Sequence, residues 1–524
     1  MLAAIVCMSR RKPVALQEPE RGWFADLPAE RKLLLSETAI EQVVRRLLQR
    51  VGDEEVIFAW LRQNPWAVGT MCSGTDASNL VFDALVSASA TGAEQAWRVI
   101  HEFSCEKSAR KRAFLRHLHK GGAVRQYKDT KYMVLGALAD DDAASFLGQS
   151  VVPSTTAVLA GFPCTDISCL NKHARSGETL NCIADGTYRT GRCFEEICKY
   201  VESACGACDF VFLENVSALV ARHKDTMTGK TTTMFEASVL RLEKAGFHVA
   251  AYMLQPWQMG WPVTRSRVYF SCVSQNRLRA AGIAPVEFDT LMDTAMQACI
   301  GHALIPLEDY LCSETSNAVQ AYYKMLMDPG ARSPKRSRLE NPAWFQNHLE
   351  QMERAGMRWW CSFDCESQIF PGTLALHPRE IDIVAVATLN HRSDAVIDVH
   401  FSLGRNRHLL QDSSTHAQKQ RMQHENMCKI ISPEARLYLV QRRRLLLGSE
   451  CCWLQGIVYN RTRLEQAAVK SLPDAHAAHA NEPNGLLQNL AGNAFHIPCL
   501  AAVLTSTIAA IARAERPRSQ FMGP

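Results

Sequence analysis

A cysteine directly follows an apolar run in the stretch "VLAGFPCTDIS", which spans residues 158–168. The preceding proline fixes the local backbone, so the thiol of Cys164 stands at a defined point just past a predicted strand. A thiolate in such a position can act as a nucleophile. The chain has 19 cysteines, however, and a small buried thiol is the more common role for any one of them. The groups that accompany Cys164 must therefore decide between the two roles.

Three more polar or flexible residues stand at the ends of predicted strands. Gly74 lies in a turn after "WAVGTM", where the backbone can approach a ligand closely. Glu106 follows "VIHEFSC" about 30 residues later, and a carboxylate there is suited to binding ribose hydroxyls. Glu214 follows the apolar run "FVFL", and burial would favour the protonated form that acts as an acid. Taken singly, a turn glycine, a surface glutamate and a helix cap explain these residues equally well.

Two arginines and a group of cysteines are further candidates. Arg265 and Arg267 lie in "PVTRSRVYF" and share one face of an extended chain, where they could hold a carboxylate or a phosphate. Four cysteines fall within residues 193–208, but they include a single C-x-x-C pair, whereas zinc sites usually have two. Unpaired thiols are therefore favoured, and no metal is expected. A thiol-redox enzyme built on Cys205 and Cys208 is a distant alternative.

Strand and helix patterns alternate between residues 66 and 273, which predicts a mostly parallel sheet wrapped by helices. Chemistry in such sheets collects at the carboxyl ends of the strands, where the candidate residues lie. The predicted strands lie in the runs "WAVGTMCSG", "WRVIHEFSCE", "TTAVLAGFPC", "CDFVFLENV", "HVAAYML" and "RSRVYFSCV". The predicted helices are residues 38–50, "DASNLVFDALVSA", "KSARKRAFLRHLH", "MFEASVLRLEKAGF" and the final "HIPCLAAVLTSTIAAIA".

The length of 524 residues predicts two or three domains. We expect a helical extension over residues 1–60, an α/β region over 61–275, a loop-rich domain over 276–440 and a helical region over 441–515. The net charge of +5 permits a nucleic-acid partner without requiring one. We find no apolar run long enough to cross a bilayer, and we expect no membrane partner. The basic run "RSPKRSR" (332–338) could be a nuclear address or a phosphate contact, although most such runs are solvated loops.

Taken in chain order, these segments resemble the cytosine-5 DNA methyltransferase family. "GTMCSG" is similar to the family's cofactor turn, "FSCE" to its ribose-binding acid, "GFPCTDIS" to its nucleophile motif, "ENV" to its acid motif and "GWPVTRSRVYF" to its paired-arginine motif. "QYKDTKYM" would supply an aspartate to the adenine amine, and "LLLGSECCWLQGI" and "AGNAFHIPCLAAVL" resemble the last two motifs. The resemblance covers roughly residues 66–275 and 441–512.

This resemblance implies a Rossmann-like fold of the S-adenosylmethionine-dependent methyltransferases, with a mostly parallel sheet and helices on both faces. Residues 61–275 would be the first part of the catalytic domain, 276–440 a smaller target-recognition domain, and 441–515 the part that completes the cofactor site. The residues that the resemblance assigns to the cofactor S-adenosyl-L-methionine are Cys72, Ser73, Gly74, Thr75, Glu106, Asp129, Asn493 and Ala494.

The implied reaction is transfer of a methyl group to C5 of cytosine in DNA. Cys164 would add to C6 of the base and push electrons toward C5, while Glu214 would assist that addition at N3. Arg265, and Arg267 beside it, would orient the acid and the base. Because a base inside a duplex cannot be reached in this way, the resemblance also implies base flipping.

The resemblance implies a mobile loop as well, and it has departures. Residues 169–192, with glycines at positions 177, 186 and 191, would close over the flipped base. Cys72 stands where the family usually has an aromatic residue, and Asp76 and Ala77 stand where it has glycines. Cys193 takes the place of a leucine that packs on the cofactor. We therefore expect weaker stacking on the adenine, with the bond-making groups retained.

Two other functions remain open at this point. The same fold could act on RNA, since one branch of the family methylates transfer RNA, or the chain could be a catalytically silent, DNA-binding relative. The insert of about 165 residues favours DNA, because it offers surface for groove contacts. A silent relative should lack the nucleophile or the acid, and both are present. A nuclear location is expected from the implied substrate and from the run at 332–338.

Overall fold

The computed structural model describes residues 14–15, 39–90, 96–119, 124–142, 148–168, 178–204, 206–224, 231–327, 396–399, 435–472 and 481–515, with a few single positions between 350 and 433. The basic run at 332–338, most of the apolar segment 381–389 and residues 169–177 of the predicted loop lie outside the described residues. The predictions made for those segments therefore stay predictions.

An eight-stranded sheet forms the centre of the fold, in the order β1-β11-β12-β8-β7-β2-β3-β4. The pairs β5–β6 and β9–β10 form two small antiparallel sheets beside it. The strands are β1 (Val14–Ala15), β2 (Trp66–Met71), β3 (Val99–Cys105), β4 (Arg125–Tyr127), β5 (Leu138–Asp140), β6 (Gln149–Val151), β7 (Ala157–Ala160), β8 (Phe210–Val216), β9 (Arg222–Lys224), β10 (Thr231–Thr233), β11 (Phe247–Leu254) and β12 (Arg267–Ser274).

The central strands are apolar because helices cover both faces of the sheet. Every residue of β7 and β8 is buried, as is expected of parallel strands in the middle of an α/β sheet. All six strands predicted from apolar runs are confirmed as β2, β3, β7, β8, β11 and β12. The short edge strands β1 and β4 were not predicted.

The strand directions bring the candidate residues to one edge of the sheet. Strands β4, β3, β2, β7 and β8 are mutually parallel, so their carboxyl ends share that edge. Strand β12 runs antiparallel to β8 and pairs Arg267 with Val216, so its first residue lies beside the last residue of β8. The residues that follow β2, β3, β4, β7 and β8 therefore meet the start of β12 at this edge.

Helices flank the sheet and also build the remainder of the chain. They are α1 (Ala39–Val51), α2 (Glu54–Gln63), α3 (Asn79–Ser89), α4 (Ala109–Leu118), α5 (Cys182–Asp185), α6 (Tyr188–Ser203), α7 (Met234–Lys244), α8 (Gln275–Ala280), α9 (Pro285–Cys299), α10 (Asn317–Met327), α11 (Gly448–Leu454), α12 (Arg461–Lys470), α13 (Asn481–Asn493) and α14 (Ile497–Ala514). The five predicted helices are confirmed as α1, α3, α4, α7 and α14. Helix α7 begins with a capping box between Thr233 and Glu236.

The chain forms two compact units. The first comprises Met1–Gly260, Ser266–Leu304 and Ala494–Pro524, and the second comprises Trp261–Arg265 and Ile305–Asn493. The first unit extends past the predicted boundary at residue 275, because α9 packs against α14 and α1. For the same reason α14 belongs with the sheet, where Thr507 shares a hydrogen bond of 2.7 Å with Ser271 of β12.

One apolar stretch, Pro483–Ala514, is long and apolar enough by composition to cross a membrane. This finding differs from the expectation, drawn from the sequence, that no apolar run is long enough to cross a bilayer. Its most apolar 18 residues are 94% buried within the protein. Helix α14 is buried on nearly every side, from Ile497 to Ala512, as is expected of a core helix in an α/β protein.

A partly buried histidine in the first unit, His302, should make the stability of that unit pH-dependent. Burial, followed by the charge of Arg50, lowers the pKa of His302 to about 4. The folded protein therefore binds this proton less tightly than the unfolded chain. This contribution to stability is present above pH 6.5 and is lost toward pH 4, by about 1.4 kcal/mol per pH unit. We expect the thermal midpoint of the wild type to fall more steeply over this range than that of His302→Gln; equal slopes would contradict the prediction.

The second unit contains a small antiparallel sheet and helices α10 to α13. Its strands are β13 (Val396–Asp398), β14 (Leu437–Leu439) and β15 (Arg444–Leu445). An ion pair is fully buried within it: the Arg444 guanidinium donates to both carboxylate oxygens of Glu450 at 2.8 Å. The same carboxylate accepts from the backbone N–H groups of Leu447 and Cys312. This network fixes the start of α11, where "LLLGSECCWLQGI" lies.

Removing one partner of this pair should destabilise the second unit strongly. Arg444→Met would leave the Glu450 charge buried without its main partner, which costs about 3–5 kcal/mol. The control is Arg442→Met, because Arg442 pairs with Glu308 at a much more exposed position, and such pairs contribute about 1 kcal/mol or less. Denaturant unfolding measures both. A loss of under about 1 kcal/mol for Arg444→Met would contradict the assignment.

Candidate functional site

The turn after β2 and the acid after β3 are joined by hydrogen bonds. Gly74 has a left-handed φ of 57°. Its backbone N–H donates to Glu106 Oε2 at 3.2 Å, and the N–H of Ser108 donates to Oε1 at 2.9 Å. The N–H of Ser73 donates to the carbonyl of Cys105 at 3.2 Å. The structure thus holds the predicted cofactor turn and the predicted ribose-binding carboxylate against each other.

Asp76 ties this turn to two strands. It stands where the resemblance led us to expect glycine, and its φ of 48° is indeed left-handed. The carboxylate is buried and accepts hydrogen bonds from the hydroxyl groups of Thr70 on β2 and Ser104 on β3. Aspartate tolerates this backbone region better than most residues, and its side chain here fixes the turn. The departure from the expected sequence therefore has a structural role.

Asp76→Ala should loosen the turn. It removes two hydrogen bonds to a charged acceptor, and the unfolding free energy should fall by about 2–4 kcal/mol. Affinity for S-adenosylmethionine should weaken by roughly tenfold as the turn loses its fixed shape. Asp83→Ala, at an exposed position on α3, is the matched control. Calorimetric titration and denaturant unfolding measure the two effects, and unchanged values for Asp76→Ala would refute the role.

The remaining predicted cofactor residues have different surroundings. The hydroxyl of buried Thr75 accepts from the N–H of Ala77 at 3.3 Å. Asp129 begins a short 3-10 helix and pairs with Lys107 Nζ at 3.0 Å. Asn493 ends α13 in the second unit, where its amide donates to the carbonyl of Asn489 at 2.8 Å. Ala494 is buried in the first unit.

Cys72, which begins the turn, faces a second thiol. Its φ of 54° is left-handed, and its Sγ lies 3.3 Å from Sγ of Cys193 on α6. The hydrogen bond with Cys193, together with burial, raises the pKa of the Cys72 thiol well above its usual range. Both cysteines stand at positions where the resemblance led us to expect larger side chains. Their contact could not be predicted from the sequence, because the two cysteines are 121 residues apart.

The nucleophile turn follows β7 and is tied to β8. Cys164 is half-buried, and its carbonyl accepts from the N–H of Ser168 at 2.9 Å, which closes a turn directly after it. Asn215 Nδ2, from β8, donates to the carbonyl of Phe162 at 3.0 Å. The Phe162 ring packs against Phe194 of α6, with 5.1 Å between centroids. The backbone on which Cys164 sits is therefore fixed from two sides.

Glu214 lies beside this turn and is paired with an arginine. Arg267 Nε is 2.9 Å from Glu214 Oε1, and both side chains are largely buried, at 11% and 7% exposure. Glu214 Oε2 points toward Gly161, at 3.6 Å from where a Cβ on that glycine would lie. The ring of Phe495 lies next to the same glycine. The carboxyl group thus reaches the start of the nucleophile turn.

The two arginines have different partners. Arg267 forms a close ion pair with Glu214, whereas the Arg265 guanidinium lies in the second unit and donates to the carbonyls of Ile431 and Gly492 at 2.9 and 3.1 Å. The predicted arrangement, with both arginines presented on one face to hold one anion, is not what the structure shows. The reason is that β12 begins only at Arg267, so Arg265 is not part of the strand.

The predicted mobile loop is partly helical. Within its described residues, Cys182–Asp185 form α5 and Tyr188 begins α6. Gly191 lies inside α6, and a Cβ there would clash with the carbonyl oxygen of Cys182. The prediction of a loop over 182–192 is therefore wrong: glycine here permits close packing of two helical segments.

Asp166 is a site residue that the sequence analysis missed. Its carboxylate accepts from the N–H of Thr190 in the first turn of α6 at 2.7 Å. Its own N–H donates to the Thr190 hydroxyl, and its carbonyl accepts from the hydroxyl of Thr179. The one available signal was a carboxylate two residues after Cys164, with a helix to follow. Asp166 joins the nucleophile turn to the start of α6.

The cysteines of the predicted C-x-x-C region do not gather into a metal site in the described part of the chain. Cys193 and Cys198 are buried on α6, and Cys208 is buried before β8. Among the described residues, no three histidine, cysteine or acidic side chains are placed to hold a metal ion. Cys205 lies outside them.

The family profile of the C-5 cytosine-specific DNA methylases matches residues 139–509, which is most of the chain. This chain belongs to the C-5 cytosine-specific DNA methylase family. Its sheet is accordingly the Rossmann-like sheet of an S-adenosylmethionine-dependent methyltransferase, with one strand, β12, antiparallel to its neighbours β11 and β8. The match includes the nucleophile turn, Glu214 and Arg267, and it begins after the turn at residues 72–76.

Several solved structures are similar to this methylase at 10% sequence identity. They are the methyltransferase EhMeth of Entamoeba histolytica (TM-score 0.39, covering 85% of this chain and 98% of that chain), a DNMT2 mutant of Spodoptera frugiperda (0.38, 84% and 99%) and the S. pombe Dnmt2 methyltransferase (0.36, 84% and 98%). No curated protein sequence matches the chain.

Proposed function

We propose that this chain transfers a methyl group from S-adenosyl-L-methionine to C5 of cytosine in DNA, through a covalent bond between Cys164 and C6. The observation that carries the proposal is the site at the ends of β7 and β8. A half-buried cysteine stands on a turn that Asn215 holds to β8, and the neighbouring buried carboxyl group, Glu214, is oriented by Arg267. Family membership supports cytosine C5 as the methylated position.

Each protein group has a defined task in this chemistry. The Cys164 thiolate adds to C6, which moves electron density onto C5. Glu214 assists at N3, where hydrogen bonding withdraws charge from the ring. Arg267 occupies one carboxyl oxygen, so the other, which points toward Gly161, is the oxygen directed at the base. Once C5 carries the methyl group, its proton passes to a base, the C5–C6 double bond re-forms and the thiolate of Cys164 leaves.

The cofactor requires groups that the edge of the sheet provides. The left-handed turn at Cys72–Gly74 lets the backbone approach a ligand, and Glu106 places a carboxylate beside it for ribose hydroxyls. These groups fit S-adenosylmethionine, which supplies an electrophilic methyl group when bound. Asp129, at the end of β4, is proposed to reach the adenine amine, and Asn493 and Ala494 are proposed to contribute from the last motif.

DNA is the proposed substrate, and RNA is the alternative. The predicted target-recognition segment over 276–440 supports DNA by its size, and a nuclear location and base flipping are proposed with it. The remaining alternative is a catalytically silent relative. The presence of Cys164 and Glu214 argues against it, because a silent relative should lack the nucleophile or the acid.

Transfer of labelled methyl groups from S-adenosylmethionine to matched DNA and RNA substrates tests this proposal. We expect label in double-stranded DNA, located at C5 of cytosine by nucleoside mass spectrometry. Label in RNA alone would replace the DNA assignment. Binding of DNA with no transfer to either substrate would favour the silent relative and overturn the enzymatic proposal.

A further inference from the structure

Two thiols meet at the proposed cofactor turn. Cys72 directly follows β2, and Cys193 lies on α6. Their sulfur atoms are 3.3 Å apart. A disulfide bond is about 2.0 Å long, so the sulfurs need to approach by about 1.3 Å. The two residues are far apart in sequence, so the contact depends on the tertiary fold.

The surroundings hold both thiols in place. The turn of Cys72 is fixed by the Ser73 N–H, which donates to the carbonyl of Cys105, and by the N–H of Asp76, which donates to the carbonyl of Ser73 at 2.8 Å. Cys193 is 8% exposed and lies 3.9 Å from the hydroxyl of Thr130. Cys72 is half-buried as a residue.

We propose that Cys72 and Cys193 form a reversible disulfide under oxidising conditions, and that this disulfide weakens binding of S-adenosylmethionine. The second part rests on the proposed function, because it takes the turn at Cys72 to be the cofactor turn. The bond would draw the turn toward α6 and change the shape against which a ligand packs. Bound cofactor, by covering the turn, should in turn protect Cys72.

Hydrogen peroxide is the oxidant class that balances the reaction. The raised pKa of the Cys72 thiol keeps its thiolate fraction small, so the reaction is slow and calls for mildly alkaline pH. The thiolate of one cysteine attacks a peroxide oxygen, the O–O bond breaks, and a sulfenic acid and hydroxide result. The thiolate of the other cysteine attacks the sulfenic sulfur, the S–O bond breaks and the S–S bond forms. With the two thiol protons, the departing hydroxides become two water molecules. A thiol reductant reverses the change by thiol–disulfide exchange.

The test uses the full chain carrying Cys164→Ser, so that oxidation of the proposed nucleophile does not affect the result. Protein treated with hydrogen peroxide at mildly alkaline pH, and then alkylated, is digested without reduction and mapped by mass spectrometry. We expect a cross-linked peptide pair containing Cys72 and Cys193, and less of it when S-adenosylmethionine is present. Separate alkylation of both cysteines, or a cross-link from Cys72 to Cys105, would overturn the proposal.

The effect on binding is measured by calorimetric titration before oxidation, after it, and after reduction. We expect affinity to fall at least roughly tenfold and to return on reduction. With Cys193→Ala added, the ratio of oxidised to reduced affinity should be near one, whereas Cys105→Ala should keep the loss. A loss that persists in Cys193→Ala would refute the link. If reduced protein binds no S-adenosylmethionine, the proposed function fails, while the mapped cross-link still decides the disulfide.

Discussion

Cys164→Ala is expected to reduce methyl transfer by at least about 10⁴-fold, to the background of the assay. The account requires this, because no other group in the described site is placed to form the covalent bond to C6. Binding of S-adenosylmethionine should change by less than about twofold, since the cofactor turn lies on a different strand. Single-turnover transfer at saturating cofactor and DNA measures the first quantity, and calorimetric titration measures the second.

A second cysteine provides the control for this substitution. Cys299 is buried on α9, where its thiol lies 3.5 Å from the hydroxyl of Ser506, and its replacement by alanine removes the same atoms from the protein core. Cys299→Ala should retain transfer within about threefold, apart from a loss of stability of about 1 kcal/mol. Retention of more than a tenth of wild-type transfer by Cys164→Ala would rule out the nucleophile assignment.

Glu214→Gln is expected to lower the transfer rate by about 10²–10⁴-fold with little change in the KM for DNA. Glutamine preserves the shape of the side chain and can still contact Arg267 through its carbonyl oxygen. It cannot exchange a proton with N3, so the loss should fall on the chemical step. Rates with saturating substrates, measured before the first turnover ends, separate this loss from binding.

Because Glu214 pairs with Arg267, a substitution of that arginine should lower the transfer rate to a smaller extent. Arg267→Lys keeps the charge but loses the planar guanidinium whose Nε lies 2.9 Å from Glu214 Oε1 in the ion pair. A rate between those of wild type and Glu214→Gln is expected. Glu195→Gln is the matched control for Glu214→Gln. Glu195 lies on α6 rather than at a strand end, and it also pairs with an arginine, Arg241 of α7. Equal rates for wild type and Glu214→Gln would contradict the acid role.

The predictable parts of this fold are those in which a residue pattern is compatible with only one kind of secondary structure. Strands β7 and β8 are buried on both faces, so their uninterrupted apolar runs could be recognised without a structure. The ends of those strands then indicated Cys164 and Glu214. The order of strands across the sheet was not predictable in this way, because it depends on how each crossover packs.

Other features depend on contacts between distant residues. The spacing of Arg265 and Arg267 predicted that they share one face of an extended chain. In the structure β12 begins only at Arg267, and the two arginines have different partners. From the sequence, Asp76 is interpreted only as a departure from a glycine turn. Its carboxylate accepts hydrogen bonds from β2 and β3, and the sequence does not show that these strands lie beside it. Helix α6 was read as loop at its start, because Gly191 indicates flexibility until its packing against Cys182 is known.

The most direct test of the central claim traps the covalent intermediate. DNA that carries 5-fluorocytosine cannot lose a proton from C5, so a methylated base should stay bonded to the enzyme after transfer from S-adenosylmethionine. The account predicts a complex that resists denaturation, with mass spectrometry placing the base on Cys164, and no such complex with Cys164→Ser. An adduct that forms on another residue, or one that survives Cys164→Ser, would contradict it.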